Sequence, residues 1–111
     1  MENASFEDFQ QIDLRVGTII KAESFPEARK PAYKLTIDFG ALGTKQSSAQ
    51  ITKRYSTQEL IGRQIVVVFN FPPKKVAGFT SEVLVLGATP EADDVILLGP
   101  ESTLANGSVV R

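Results

Sequence analysis

The clearest pattern in the chain is Leu35, Ile37 and Phe39 alternating with Lys34, Thr36 and Asp38. A period of two predicts a strand with one buried face. Two other apolar runs, Ile65 to Phe69 and Val83 to Leu86, are short and rich in β-branched residues, which marks buried strands rather than long helices. Leu14 to Lys21 is strand-like, with Gly17 breaking its rhythm where a bulge or sharp bend is expected. Ser24 to Pro31 reads as a turn, Gly40 to Gly43 as another, and Thr44 to Ile51 as a polar strand. Ala88 to Asp94 reads as a loop and Val95 to Leu98 as a short strand. Asn106-Gly107 predicts a hairpin turn before Val109 and Val110.

Helical signals occur twice. Ser5 stands three residues before Asp8, and Ser56 three before Glu59, each the spacing of a capping box. Phe6, Phe9 and Ile12 follow the first at helical spacing. Whether they dock on this domain or on a second subunit, the pattern leaves open. Leu60 and Ile61 follow the second box, and Gly62 stops it. Strand, strand, strand, short helix, strand, strand is the order of a five-stranded OB-fold barrel. The expected fold is therefore all-β, a single domain over residues 1–111 with short helices and appended C-terminal strands.

The segment from Arg63 to Gly87 organises the rest. It joins two core strands through Asn70, Phe71, Pro72, Pro73, Lys74, Lys75, Gly78, Phe79, Thr80 and Ser81. Binding residues concentrate on loops held by a rigid scaffold, and this connection has aromatics, cations and hydroxyls where a bland linker would do.

Composition narrows the function. The N-terminus has no basic region or apolar run of a signal peptide, and no segment is apolar enough to span a membrane. There is no cysteine, hence no disulfide or thiolate metal site. A cytoplasmic protein without membrane insertion is expected. Net charge is −1, but residues 14–81 hold eleven basic residues against four acidic ones, and the remainder one against nine. A basic face that attracts polyanions is consistent with this, as is a chance grouping of solvated charges.

Histidine is absent, which removes the commonest general base and metal ligand. Ser47 or Ser48 near Lys45 or Lys53 is the only local Ser–Lys pairing, and a polar edge strand explains those residues as well. The pairs Asp93-Asp94 and Glu7-Asp8 read as loop and helix-cap charges. Gly40 and Gly43 lack the Lys-Ser/Thr of a phosphate loop. No catalytic residue, metal or cofactor is expected. What remains is binding. Lys53, Arg54, Tyr55, Asn70, Phe71, Lys74, Lys75 and Phe79 mix cations with aromatics, as nucleic-acid-binding OB barrels do. Exposed aromatics equally suit protein contact. For Phe71 and Phe79 core and contact roles stay open.

These residues carry a resemblance. Asp13-Leu-Arg-Val-Gly17, Pro26 to Leu35, Asp38-Phe-Gly40 and Asn70-Phe-Pro-Pro-Lys-Lys to Ser81, in that order, resemble the tRNA-binding OB domain found alone as a dimer and appended to aminoacyl-tRNA synthetases. Glu27-Ala-Arg-Lys-Pro-Ala, Lys45 to Tyr55 and Ala77 to Gly87 are similar to its CsaA branch, small bacterial secretion-related chaperones. The resemblance implies a homodimer that binds unfolded or precursor polypeptides for export, without ATP, through Tyr33, Tyr55, Phe71 and Phe79. As the alternative it implies tRNA binding through the phosphates by Lys53, Arg54, Asn70, Lys74, Lys75 and Ser81. The protein-export machinery is a further implied partner. The sequence departs from the tRNA-binding pattern at two places. Ala49-Gln50 replaces a Ser-Gly pair, and Glu82 follows Ser81 where relatives read Gln-Gly-Met. A carboxylate facing phosphates costs affinity unless a nearby lysine pairs with it.

Overall fold

A computed structural model describes all residues from 1 to 111. Ten strands form: β1 (Leu14–Ser24), β2 (Tyr33–Asp38), β3 (Thr44–Ala49), β4 (Gln64–Val68), β5 (Lys74–Val76), β6 (Phe79–Ser81), β7 (Leu84–Val85), β8 (Gly87–Glu91), β9 (Asp94–Leu97) and β10 (Val109–Val110). The main sheet runs β3-β2-β1-β4-β7, with β10 added to β1, and every pairing is antiparallel. Residues 81–83 then return to β3, where the Glu82 N–H donates to the Gln46 carbonyl at 2.8 Å and the Ser47 hydroxyl to the Val83 carbonyl at 3.0 Å. The result is the expected five-stranded OB barrel, nearly closed.

The alternation read from sequence sets the core. Leu35, Ile37 and Phe39 are fully buried with Ile19, Ile65 and Val67, and Leu60 enters the same cluster from the short helix α2 (Thr57–Leu60). Both capping boxes form reciprocally, at Ser5/Asp8 on α1 (Phe6–Gln10) and at Ser56/Glu59 on α2. Each satisfies backbone donors that a short helix leaves orphaned.

Four local expectations need correction. Gly17 stays in register with Ile65, and the bulge falls at Ile20 instead. A Cβ on Gly17 would lie 2.6 Å from the Phe39 ring. The glycine therefore admits an aromatic ring. Ala88 to Asp94 is not a loop but most of the β8–β9 hairpin. Asn106-Gly107 turns the chain without making a hairpin, because β10 pairs with β1. The Asn106 side chain is held by the Thr18 hydroxyl at 2.6 Å and the Gln64 amide at 3.1 Å. Finally, the connection between β4 and β7 is a second hairpin, β5–β6.

Candidate binding groove

The turn between β1 and β2, the end of β3, the β5–β6 hairpin and β7 surround a half-open groove of about 850 Å³. Each wall has a local cause. Pro26 and Pro31 bracket the turn, and buried Phe25 closes it by donating its N–H to Ala32. The Phe79 ring packs edge-on against Phe25 at 5.5 Å, with the Lys34 ammonium over both rings. This contact pins the β5–β6 hairpin to the turn. The hairpin reverses at Ala77-Gly78, with φ of 47° and 83°. Two positive values are what a two-residue turn of the favoured hand requires.

The floor is aliphatic: Ala32, Ala49, Ile51, Val76, Val83 and Val85. Arg29, Lys30, Lys74 and Lys75 stand on the rim, exposed and without an ion-pair partner, and no carboxylate lines the groove. The sequence marks Arg29 and Lys30 only as part of a turn, two adjacent cations fixed between prolines.

The structure divides the ten candidates sharply. Lys74, Lys75 and Ser81 line the groove. Ser81 is half-buried, and its hydroxyl already accepts the Ser48 N–H at 3.0 Å. Lys53 lies 3.2 Å from Asp93 and 3.9 Å from Glu91. Arg54 grips Asp94 bidentately, Nε to Oδ1 at 3.0 Å and Nη2 to Oδ2 at 2.7 Å. The hydrogen bonds from Arg54 hold the Asp94 carboxyl below the usual carboxylate range, and the same bonds raise Arg54. Both cations are thus engaged by the β8–β9 tip and stand outside the groove lining.

Asn70 clips two elements together. Its amide accepts the Asp13 N–H at 2.9 Å and donates to the Gln11 carbonyl at 2.8 Å, tying the end of α1 to the end of β4. Tyr55 is core: 8% exposed, its hydroxyl accepts the Leu97 N–H at 3.0 Å, and Arg63 covers its ring. Tyr33 is half-buried, donating to the Tyr55 carbonyl at 2.7 Å. Phe79 is the hairpin's anchor. Of the four aromatics only Phe71 is exposed, at 47%.

Glu82 makes no ion pair; its carboxylate accepts the Gln46 N–H at 2.9 Å and helps to seal the barrel. Its charge is engaged by the backbone rather than aimed at the groove. Ser47 is fully buried, with its hydroxyl on the Val83 and Ser48 carbonyls. No lysine is hydrogen-bonded to either serine. No helix is long and apolar enough to cross a membrane.

A second surface collects at the other end of the sheet. Leu14 pairs with Val68 on one side and Val110 on the other. With the Asn70 clip to Gln11 and Asp13, this brings the end of α1, the end of β4 and β10 to the same end of the sheet. α1 has no buried residue: Phe6 is 71% exposed, and Phe9 and Ile12 beyond it are exposed as well.

Comparison with known proteins places this geometry. Residues 14–109 match the family model described as "Putative tRNA binding domain". The structure of chaperone CsaA from Bacillus anthracis is 64% identical, covers 99% of this chain and 100% of its own, and superposes with a TM-score of 0.96. The CsaA chaperone protein from Picrophilus torridus is 50% identical, covering 98% of this chain and 100% of its own, with a TM-score of 0.91. A methionine–tRNA ligase from Methanococcoides burtonii is 36% identical over 107 residues, 96% of this chain. The chain spans 16% of that ligase's length. On these grounds the chain belongs to the tRNA-binding OB-domain family and, within it, to the CsaA branch.

Proposed function

We propose that the protein is a chaperone that holds unfolded or precursor polypeptide passively, without ATP, in the groove beside β7. The observation that carries this reading is the aliphatic floor ringed by unpaired cations. Apolar side chains gain about 25 cal/mol per Å² on leaving water, and the floor offers them a place. It offers no aromatic ring on which bases would stack, the usual means of gripping single-stranded nucleic acid. The chaperone titles of the two CsaA structures agree with the reading. Export machinery as a downstream partner and a cytoplasmic location belong to the same proposal, as does binding in place of catalysis.

The working unit in this reading is a homodimer joined through α1, Phe71 and β10. An apolar helix with no buried residue on its own chain is what such an interface leaves behind in one protomer. Light scattering at micromolar concentration is expected to give twice the chain mass, and Phe9→Asp to halve it.

A second reading is tRNA binding through phosphates. The family match favours it, as do the four free cations. A competition titration separates the two. Labelled tRNA is bound at two salt concentrations and challenged with a reduced, carboxymethylated polypeptide. Weak, salt-sensitive tRNA binding beside salt-tolerant polypeptide binding is the expected result. Tight tRNA binding that polypeptide does not disturb would overturn the chaperone reading.

A further inference from the structure

We propose that Asn106-Gly107 is a site of spontaneous backbone modification, gated by the strap of residues 104–108 that leads into β10. Of the chain's asparagines, Asn3 precedes alanine, Asn70 precedes phenylalanine, and Asn106 alone precedes glycine. With no side chain in the way, the Gly107 nitrogen can reach the Asn106 side-chain carbon Cγ. Its attack forms an N–Cγ bond and breaks the Cγ–Nδ2 bond. The displaced proton leaves with the amide nitrogen as ammonia, and a five-membered succinimide remains. Water then opens that ring at one carbonyl or the other, giving aspartate or isoaspartate. The fold demands both residues of the pair. Gly107 has φ of 88°, and a Cβ there would stand 2.5 Å from the Phe39 carbonyl oxygen. Only glycine tolerates both conditions. Asn106 supplies the Oδ1 that accepts the Thr18 hydroxyl at 2.6 Å and the Gln64 amide at 3.1 Å.

The contacts that demand the pair also restrain it. The attacking nitrogen is engaged, because the Gly107 N–H donates to the Val16 carbonyl at 2.7 Å. The two donors on Oδ1 fix Cγ in place. Arg15 Nη1 holds the Gly107 carbonyl at 3.0 Å, and the Val16 N–H donates to the Ser108 carbonyl at 2.9 Å. Gln64 ties down the start of the strap as well. Its side chain donates to the Leu104 carbonyl at 2.8 Å and accepts the Leu104 N–H at 3.1 Å. Ring closure therefore waits until the strap lifts from β1 and β4. The folded rate is then the open fraction multiplied by the rate in unfolded chain. The two products differ in consequence. Aspartate keeps an oxygen that accepts from Thr18 and Gln64 as before. Isoaspartate adds a methylene to the main chain, which carries Gly107 off Val16 and β10 out of its Leu14↔Val110 register.

The test incubates the full chain in mildly alkaline buffer, with and without urea, and follows Asn106 by peptide mapping that resolves aspartate from isoaspartate. Conversion in folded protein is expected to be at least about a hundredfold slower than in urea. Gln64→Glu keeps the acceptor for Leu104 and removes the donors to Leu104 and Asn106, while Thr18→Val removes the hydroxyl donor. Each is expected to speed folded-state conversion about fivefold to tenfold and to leave the rate in urea unchanged. Hydrogen exchange at the Gly107 amide is expected to quicken by the same factor, which a change in local reactivity alone would not produce. A thermal melt verifies that the variants are folded, and Thr18→Val decides alone if Gln64→Glu is not. Equal rates in folded protein and in urea would remove the gate. Variants that convert at the wild-type rate would take Thr18 and Gln64 out of it. No conversion at Asn106 in urea would overturn the site itself.

Discussion

Lys53-Arg54-Tyr55 and Lys74-Lys75 with Phe79 look alike as sequence, adjacent cations near an aromatic ring, and the fold treats them oppositely. In the first cluster every functional group has a partner already: Lys53 on Asp93, Arg54 on Asp94, the Tyr55 hydroxyl on the Leu97 N–H. In the second the ring is a structural anchor and the ammonium groups are free. The difference lies in what the topology brings opposite. The β8–β9 tip, Glu91 to Asp94, closes on the first cluster from forty residues downstream. The second faces an aliphatic floor. A polyanion reaching Arg54 must displace a carboxylate and gains little for it. One reaching Lys74 displaces only water.

The comparison breaks most visibly at Tyr55. If that ring belongs to the core, Tyr55→Ala removes a buried aromatic and leaves the Leu97 N–H without its acceptor. A loss of about 3–5 kcal/mol is expected in urea or thermal unfolding. A loss below about 1 kcal/mol, with polypeptide binding abolished, would return Tyr55 to the binding surface and erase the contrast.

The salt dependence of tRNA binding sharpens the contrast next. Each phosphate contact contributes about 0.7–0.9 to the slope of log K against log salt. K74Q/K75Q is expected to lower that slope by about 1.5, and K53Q/R54Q to leave it nearly unchanged. Equal slopes for the two variants would mean that the ion pairs to the β8–β9 tip open freely, or that tRNA docks elsewhere.

What could be read in advance follows the range of the interactions involved. Capping boxes at Ser5 and Ser56 act over three residues, and the Leu35–Phe39 alternation over five, so both are written locally and both appear in the structure. The barrel order followed from such elements in sequence. Asn70 reads in the sequence as an unattached loop amide because its partners, Gln11 and Asp13, lie 59 and 57 residues away. The β8 segment Gly-Ala-Thr-Pro-Glu has no apolar alternation to announce a strand. Its pairing to β9, aided by Val95 and Leu97 packing on the core, decides its conformation. Charge clusters mislead in the same way: the cations are local, and their neutralisation is not.

Asp94→Asn turns one cluster partly into the other. It leaves Arg54 without its carboxylate, and tRNA affinity is expected to rise about twofold at low salt, the yield of one surface charge. Protonation at low pH should have the same effect, with a defined sign. The folded carboxyl titrates below its ordinary 3.8. Its contribution to stability is therefore present above that value and is lost only as pH falls through the lower, folded one. The ion pair stays intact across roughly pH 5 to 8. An NMR titration of the Asp94 carboxyl carbon is expected to show a midpoint below 3.8, and a midpoint at or above it would mean a pair too weak to account for the contrast.

The smallest effect tests whether the free lysines depend on strain in the hairpin that carries them. Ala77 is the one non-glycine residue with positive φ, at 47°. A side chain there costs about 1–2 kcal/mol, and glycine gives back part of the relief through its freer unfolded state. Ala77→Gly is thus expected to stabilise the protein by about 0.5 kcal/mol. Peptide affinity is expected to change less than twofold. The Lys74↔Ser81 and Val76↔Phe79 register, together with the Phe25–Phe79 contact, holds the strand whichever residue makes the turn. A stabilised variant that binds peptide several-fold more weakly would assign the strained turn a part in aiming Lys74 and Lys75, and the free cluster would then be as architecturally constrained as the paired one.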